Sequence, residues 1–142
     1  MKKILVAIDG SENSKKALEK AKEIGLLNNS EIEILYVISC LRNCHPYVID
    51  QAYEAEVNKV LLEQGKKILH EAEEIFKGYT GKVNTFIQCG DAAKEIIDKA
   101  EKMNCDLVVM GSRGLNAFSR AMLGSISNKV LNHINISVLI VK

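Results

Sequence analysis

Short apolar runs recur along the chain with helical periods between them. Ile4 to Ile8, Ile32 to Ile38, Leu107 to Met110 and Val138 to Val141 are rich in branched side chains, and Val83 to Cys89 closes on Gly90. Near-continuous apolar runs of this length are what strands covered on both faces require. The period then lengthens. From Glu12 to about Leu27, Ala17, Leu18, Ala21 and Ile24 sit at helical spacing among lysines and glutamates, and Asn28-Asn29 stops the pattern. From Asp50 to Lys77 one stripe runs through Tyr53, Val57, Val60, Leu61, Ile68, Leu69, Ala72, Ile75 and Phe76. Gly78 is placed to end that helix, and its stripe is expected to be core. Asp91 is an expected N-cap for a third helix carrying Ala92, Ile96, Ile97, Ala100 and Met103. Behind Gly124-Ser125, Ile126, Val130, Leu131 and Ile134 mark a fourth.

Strand and helix alternate throughout, which predicts an α/β fold: a single doubly wound open sheet of five parallel strands with four helices on both faces. Two connections stand out by length. One, Ser39 to about Tyr47, holds the only proline, Pro46, and the other follows Met110. In such a sheet ligands lie outside the carboxyl ends of the strands, where the winding reverses.

Size and charge narrow the function classes. A length of 142 residues with 47% hydrophobic content closes one core. Nineteen basic and 18 acidic side chains, interspersed, give a net charge of +1, which offers no footprint for nucleic acid or an anionic membrane. No apolar run approaches the ~20 residues that span a bilayer, and Ile4 to Ile8 is too short for a secretory leader, so a cytoplasmic protein is expected. The cysteines, Cys40, Cys44, Cys89 and Cys105, show no disulfide-scaffold spacing and are expected as free thiols. Cys40-x3-Cys44-His45 offers only three zinc donors without a matching pair, so no metal site is assigned. His70 and His133 have no acid or nucleophile at a catalytic spacing, and no catalytic residue is named.

The segment after the fourth strand carries the densest chemistry: Met110-Gly111-Ser112-Arg113-Gly114, nine residues from Leu115 to Leu123, then Gly124-Ser125-Ile126-Ser127. Glycines allow close backbone approach, serines add hydroxyl donors, and a helix N-terminus presents free N–H groups at a positive dipole end. Together these make an anion cradle. The same residues also serve as a strand end, a turn and a helix cap in proteins of every kind. Neither a P-loop nor a dinucleotide glycine fingerprint is present.

Gly111-x2-Gly114-x9-Gly124-Ser125, taken with Val6-Ala7-Ile8-Asp9-Gly10-Ser11, resembles the ATP-binding branch of the universal stress protein family over nearly the whole chain. The resemblance implies one nucleotide-binding domain over residues 1–142, of the adenine nucleotide alpha hydrolase-like type, with the first and fourth strands as central neighbours. It implies that Ala7 and Val37 flank adenine, that Asp9 meets the ribose hydroxyls, and that Met110 and Gly111 lie beside the ribose. Arg113 and Gly114 would begin the phosphate loop, and Gly124, Ser125, Ile126 and Ser127 would contact the phosphates of ATP, or of ADP or AMP. Mg²⁺ would bridge phosphate oxygens. A homodimer is implied through the last strand, Val138, Leu139, Ile140 and Val141, although the family often has proline where this chain has Ser137. The expected role is a nucleotide-dependent regulatory dimer in stress response, acting on a partner the sequence does not name. A slow ATPase or phosphotransferase and a nucleotide-free dimeric scaffold are the alternatives.

Overall fold

The computed structural model describes residues 1–39, 50–115 and 122–142. Its elements, in chain order, are β1 (Lys3–Ile8), α1 (Glu12–Asn28), β2 (Glu31–Ile38), α2 (Gln51–Ile75), β3 (Val83–Cys89), α3 (Ala92–Lys102), β4 (Leu107–Gly111), α4 (Ser125–His133) and β5 (Ser137–Val141). The strands form one parallel sheet in the order β3-β2-β1-β4-β5. The first half of the chain therefore winds outward from β1 in one direction and the second half from β4 in the other. Winding reverses between β1 and β4, which pair Ala7 with Met110, so the crevice at their carboxyl ends is the switch point.

Successive side chains of a strand leave on opposite faces, and both faces here are covered. Ile4, Val6 and Ile8 pack with Ala17, Leu18 and Ala21 of α1 and Leu69 and Ala72 of α2. Leu5 and Ala7 pack on the other face with Val108, Met110, Ala93, Ile96 and Val130. Burying each of the larger aliphatic side chains contributes roughly 1.5–3 kcal/mol, which explains why Ile4 to Ile8 admits no polar residue.

At the amino end of the sheet one acid breaks this rule. Glu33 is fully buried; its Oε1 accepts from Asn84 Nδ2 at 3.2 Å and lies 4.0 Å from Lys3 Nζ, while Oε2 has no hydrogen-bond partner among the described residues. Burial pushes the Glu33 carboxyl above the usual carboxylate range, more than the Asn84 hydrogen bond lowers it. Nearby Cys105 is a free, buried thiol, pushed up to about 11 by burial and therefore inert.

Two expectations are corrected. The α2 stripe is not core throughout: of its residues only Leu69, Ala72 and Phe76 are buried, while Tyr53 and Val60 are 60% and 53% exposed. Its 25 residues span about 37 Å at ~1.5 Å each, against about 26 Å for the eight residues of β2, so the helix outruns the sheet. In α4 only Val130 of the apolar set is fully covered, and Ile126 and Leu131 are each 43% exposed. The second concerns Cys89, which is disulfide-bonded rather than free. The sheet places it beside Ile38 at the end of β2, a proximity that spacing along the chain does not reveal. Cys40, Cys44 and His45 lie outside the described residues. No helix among the described residues is long and apolar enough to cross a membrane.

Candidate functional site

The carboxyl ends of β1, β2 and β4, closed by the starts of α3 and α4, enclose a cavity of about 420 Å³. That is within the range of small-molecule sites. Its wall includes every residue the sequence singled out: Ala7, Asp9, Val37, Met110, Gly111, Arg113, Gly114, Gly124, Ser125, Ile126 and Ser127. Residues from four separate elements, more than a hundred positions apart, thus meet in one place.

Asp9 leaves the end of β1 at the switch point. Its Oδ1 accepts from the Ser11 N–H at 3.0 Å, and Ser11 in turn caps α1, accepting from the Ser14 N–H. Gly10, at φ +82°, makes the turn; a Cβ there would stand 3.1 Å from Ile68 Cδ1. The other oxygen, Oδ2, faces Gly114 so closely that a Cβ on Gly114 would lie 2.5 Å from it. Asp9 is the one acid on the described wall and Arg113 the one strong base. Arg113 Nε donates to the Met122 carbonyl at 3.3 Å, which ties the two ends of the glycine loop together.

The base-sized part of the wall is apolar. Ala7 and Leu35 come from the sheet, and Ala92 and Ile96 close the far side from α3. Odd-numbered residues of β2 turn their backbone groups toward β1, as the Glu31 N–H does in donating to the Lys2 carbonyl. Pairing with β1 stops at Ile8 and Tyr36, so the Val37 carbonyl lies beyond the last pair, at the crevice. Beside it, Ser39 adds a hydroxyl.

The start of α4 forms the opposite wall. In the other three helices a side-chain oxygen accepts from a first-turn amide, at Ser11, Asp50 and Asp91, and the first turn holds an acid, Glu12, Glu54 or Glu95. In α4 the N-cap is Gly124, with no side-chain cap bond and no acid in the first turn. The first backbone bond, from Asn128 N–H to the Gly124 carbonyl, leaves the amides of Ser125, Ile126 and Ser127 without intrahelical acceptors. Among the described residues nothing compensates the positive end of α4, which faces the cavity, and an anion is its complement. Gly124 is itself hemmed in, since a Cβ would meet Arg113 Cα at 3.3 Å and the Ser112 carbonyl at 3.4 Å.

Sequence reasoning missed Leu35, Ser39, Ala92 and Ile96. The α3 residues carry the same helical spacing as ordinary core, and nothing in their pattern marks the turn of α3 that overhangs the cavity. Chemically the described residues of the site offer an apolar slot, one carboxylate, hydroxyls and a row of amides without intrahelical acceptors. Among the described residues no group of three His, Cys, Asp or Glu side chains is arranged to hold a metal.

Comparison with known proteins agrees with this layout. The model of the universal stress protein family matches residues 1–142. Universal stress protein YxiE of Bacillus subtilis is 32% identical over 99% of this chain and 98% of its own length. Among solved structures, hypothetical protein MJ0577 superposes with a TM-score of 0.87 at 30% identity, over 99% of this chain and 95% of that one. A universal stress protein in complex with cAMP (TM-score 0.70, 23% identity, 99% and 95% covered) and one from Archaeoglobus fulgidus in complex with dAMP (0.69, 18%, 100% and 98%) share the fold. With the family pattern matched from end to end, the chain belongs to the universal stress protein family.

Proposed function

We propose that this crevice holds an adenine nucleotide, with ATP as the reference ligand, and that the protein works as a nucleotide-dependent regulatory homodimer in the cytoplasm. The observation that carries the reading is the uncapped start of α4, whose three free amides face a cavity with a carboxylate across from them. Phosphates match the amides, ribose hydroxyls match Asp9, and adenine matches the apolar slot with the Val37 backbone at its edge. Two proteins of the same fold are known in complex with cAMP and dAMP, which supports an adenine nucleotide as the class of ligand. Mg²⁺ fits as a companion of the phosphates rather than as a resident ion: with one carboxylate on the described wall, it would take phosphate oxygens and water as most of its ligands. It would neutralise phosphate charge there. The chain's own groups bind and orient, and the proposal assigns no turnover to them.

The dimer would form at β5, an edge strand whose backbone is open on one side. Val141 accepts from the Ser112 N–H, so odd residues of β5 turn inward to β4, while Val138 and Ile140 turn their N–H and carbonyl groups outward.

Mass spectrometry of small molecules released by heat from freshly purified protein tests the reading. An adenine nucleotide near one equivalent per chain, rebinding to stripped protein in calorimetry, is the expected result. Empty protein that shows no heat with ATP, ADP, AMP or cyclic nucleotides would overturn it.

A further inference from the structure

The second residue of the glycine loop joins three elements through its backbone. The Ser112 N–H donates to the Val141 carbonyl at the end of β5 at 2.7 Å, and the Ser112 carbonyl accepts from the Gly124 N–H, also at 2.7 Å. The Ser127 hydroxyl lies 3.1 Å from the same carbonyl, and Asn13 Nδ2 of α1 lies 3.4 Å from Ser112 Oγ. Both serines are buried, each 2% exposed. A Cβ on Gly111 would stand 2.9 Å from Asn13 Cβ, so α1 presses on this junction from behind.

The Ser127 hydroxyl has one proton and two carbonyl acceptors, Ser112 at 3.1 Å and Gly124 at 3.0 Å. Its proton is therefore directed into the protein, and the hydroxyl has no donor left for an anion. We infer that Ser127 is a positioning residue, not a phosphate donor: it fixes the free amides of α4 against Ser112, and through the Ser112 N–H the same junction carries ligand occupancy to the end of β5. The inference rests on the nucleotide reading above and adds the route by which the site and the sheet edge affect each other. A ligand that steadies the start of α4 steadies Ser112, and Ser112 is the residue that holds the last carbonyl of β5. Linkage makes the effect reciprocal.

The test uses nucleotide-stripped full chain as wild type, Ser127→Ala and Ser127→Thr, with Mg·ATP as the probe. Two quantities are read: ATP affinity by calorimetry, and exchange of the Ser112 amide with deuterium, without ATP and at saturation. Wild type and Ser127→Thr, which keeps the hydroxyl, should bind alike, and Ser127→Ala about five- to twenty-fold more weakly, the cost of one buried hydrogen bond. Saturating ATP should slow exchange at Ser112 about tenfold or more in wild type and Ser127→Thr, and much less in Ser127→Ala. A residue that only fills space would leave the ATP-dependent slowing intact in the alanine variant. Unchanged affinity in Ser127→Ala, or a threonine variant as weak as alanine, overturns the inference. The wild-type measurement needs no variant to fold: ATP that saturates the site without slowing Ser112 also overturns it. Wild type that binds no ATP removes the nucleotide reading itself, and this inference with it.

Discussion

Replacing Gly114 with alanine probes the site through a single atom. The added Cβ would lie 2.5 Å from Asp9 Oδ2, about an ångström inside van der Waals contact, and beyond its chain neighbours it meets only Asp9 within 4 Å among the described residues. Asp9 cannot simply swing away, because Oδ1 is held at 3.0 Å by the Ser11 N–H. The carboxylate must give up that bond or the loop must move off it, and either change takes Asp9 out of line with a ribose hydroxyl. A hydrogen bond to a charged group is worth roughly 1.5–3 kcal/mol, so ATP affinity should fall about ten- to hundred-fold. Thermal stability should change little, since Gly114 is not in the core. The assay is a double-mutant cycle in calorimetry with Asp9→Ala. In the alanine background the clash partner is gone, so Gly114→Ala should cost nothing further, and the double variant should match Asp9→Ala alone. Full additivity would refute the reasoning, as would wild-type affinity in Gly114→Ala.

Glu33→Gln removes a buried charge with one unpartnered oxygen. Because burial raises the Glu33 carboxyl in the folded chain, its contribution to stability is fully present below the unfolded carboxylate range and is lost as pH rises through the raised folded value. Glutamine should therefore gain about 1 kcal/mol at neutral pH and little in acid, read from denaturant melts at several pH values; an equal shift at all pH values would contradict this. Gly65→Ala places a Cβ 2.9 Å from Tyr36 Cδ1 and should destabilise the fold by roughly 1–3 kcal/mol through overpacking of α2 on β2, measured by thermal melting. Ile140→Pro deletes an outward-facing N–H of β5 without removing a bond to β4, so sedimentation should show the dimer weakened more than about tenfold while the monomer stays folded. A dimer of unchanged strength would move the interface elsewhere.

Much of the fold was legible in the chain because burial on both faces leaves a plain mark. Ile4 to Ile8 could be nothing but a central strand once both faces needed covering, and Ile4, Leu5 and Val6 are fully buried. The overhang of α2 was not legible, since Tyr53 and Val57 continue the spacing of Leu69 and Ala72 and only the length of the sheet decides where the packing ends. The gathering of Asp9, Gly111, Gly114 and Gly124 was readable from the resemblance, whose spaced motif carries these positions and which makes β1 and β4 neighbours, while the apolar runs alone show only that Asp9 and Gly111 stand at strand ends. The α3 wall was hidden in an ordinary helical pattern. The Ser112 junction was hidden too, since it is made mostly of backbone groups that every residue carries.

The account stands on the start of α4 taking phosphate oxygens. Titrating ¹⁵N-labelled, nucleotide-stripped protein with Mg·ATP and following the amides of Ser125, Ile126 and Ser127 reads that contact at the donors themselves. Downfield shifts of these three that saturate at one equivalent, absent with adenosine, are the predicted result. Saturable binding that leaves them unmoved while shifting other regions would contradict it.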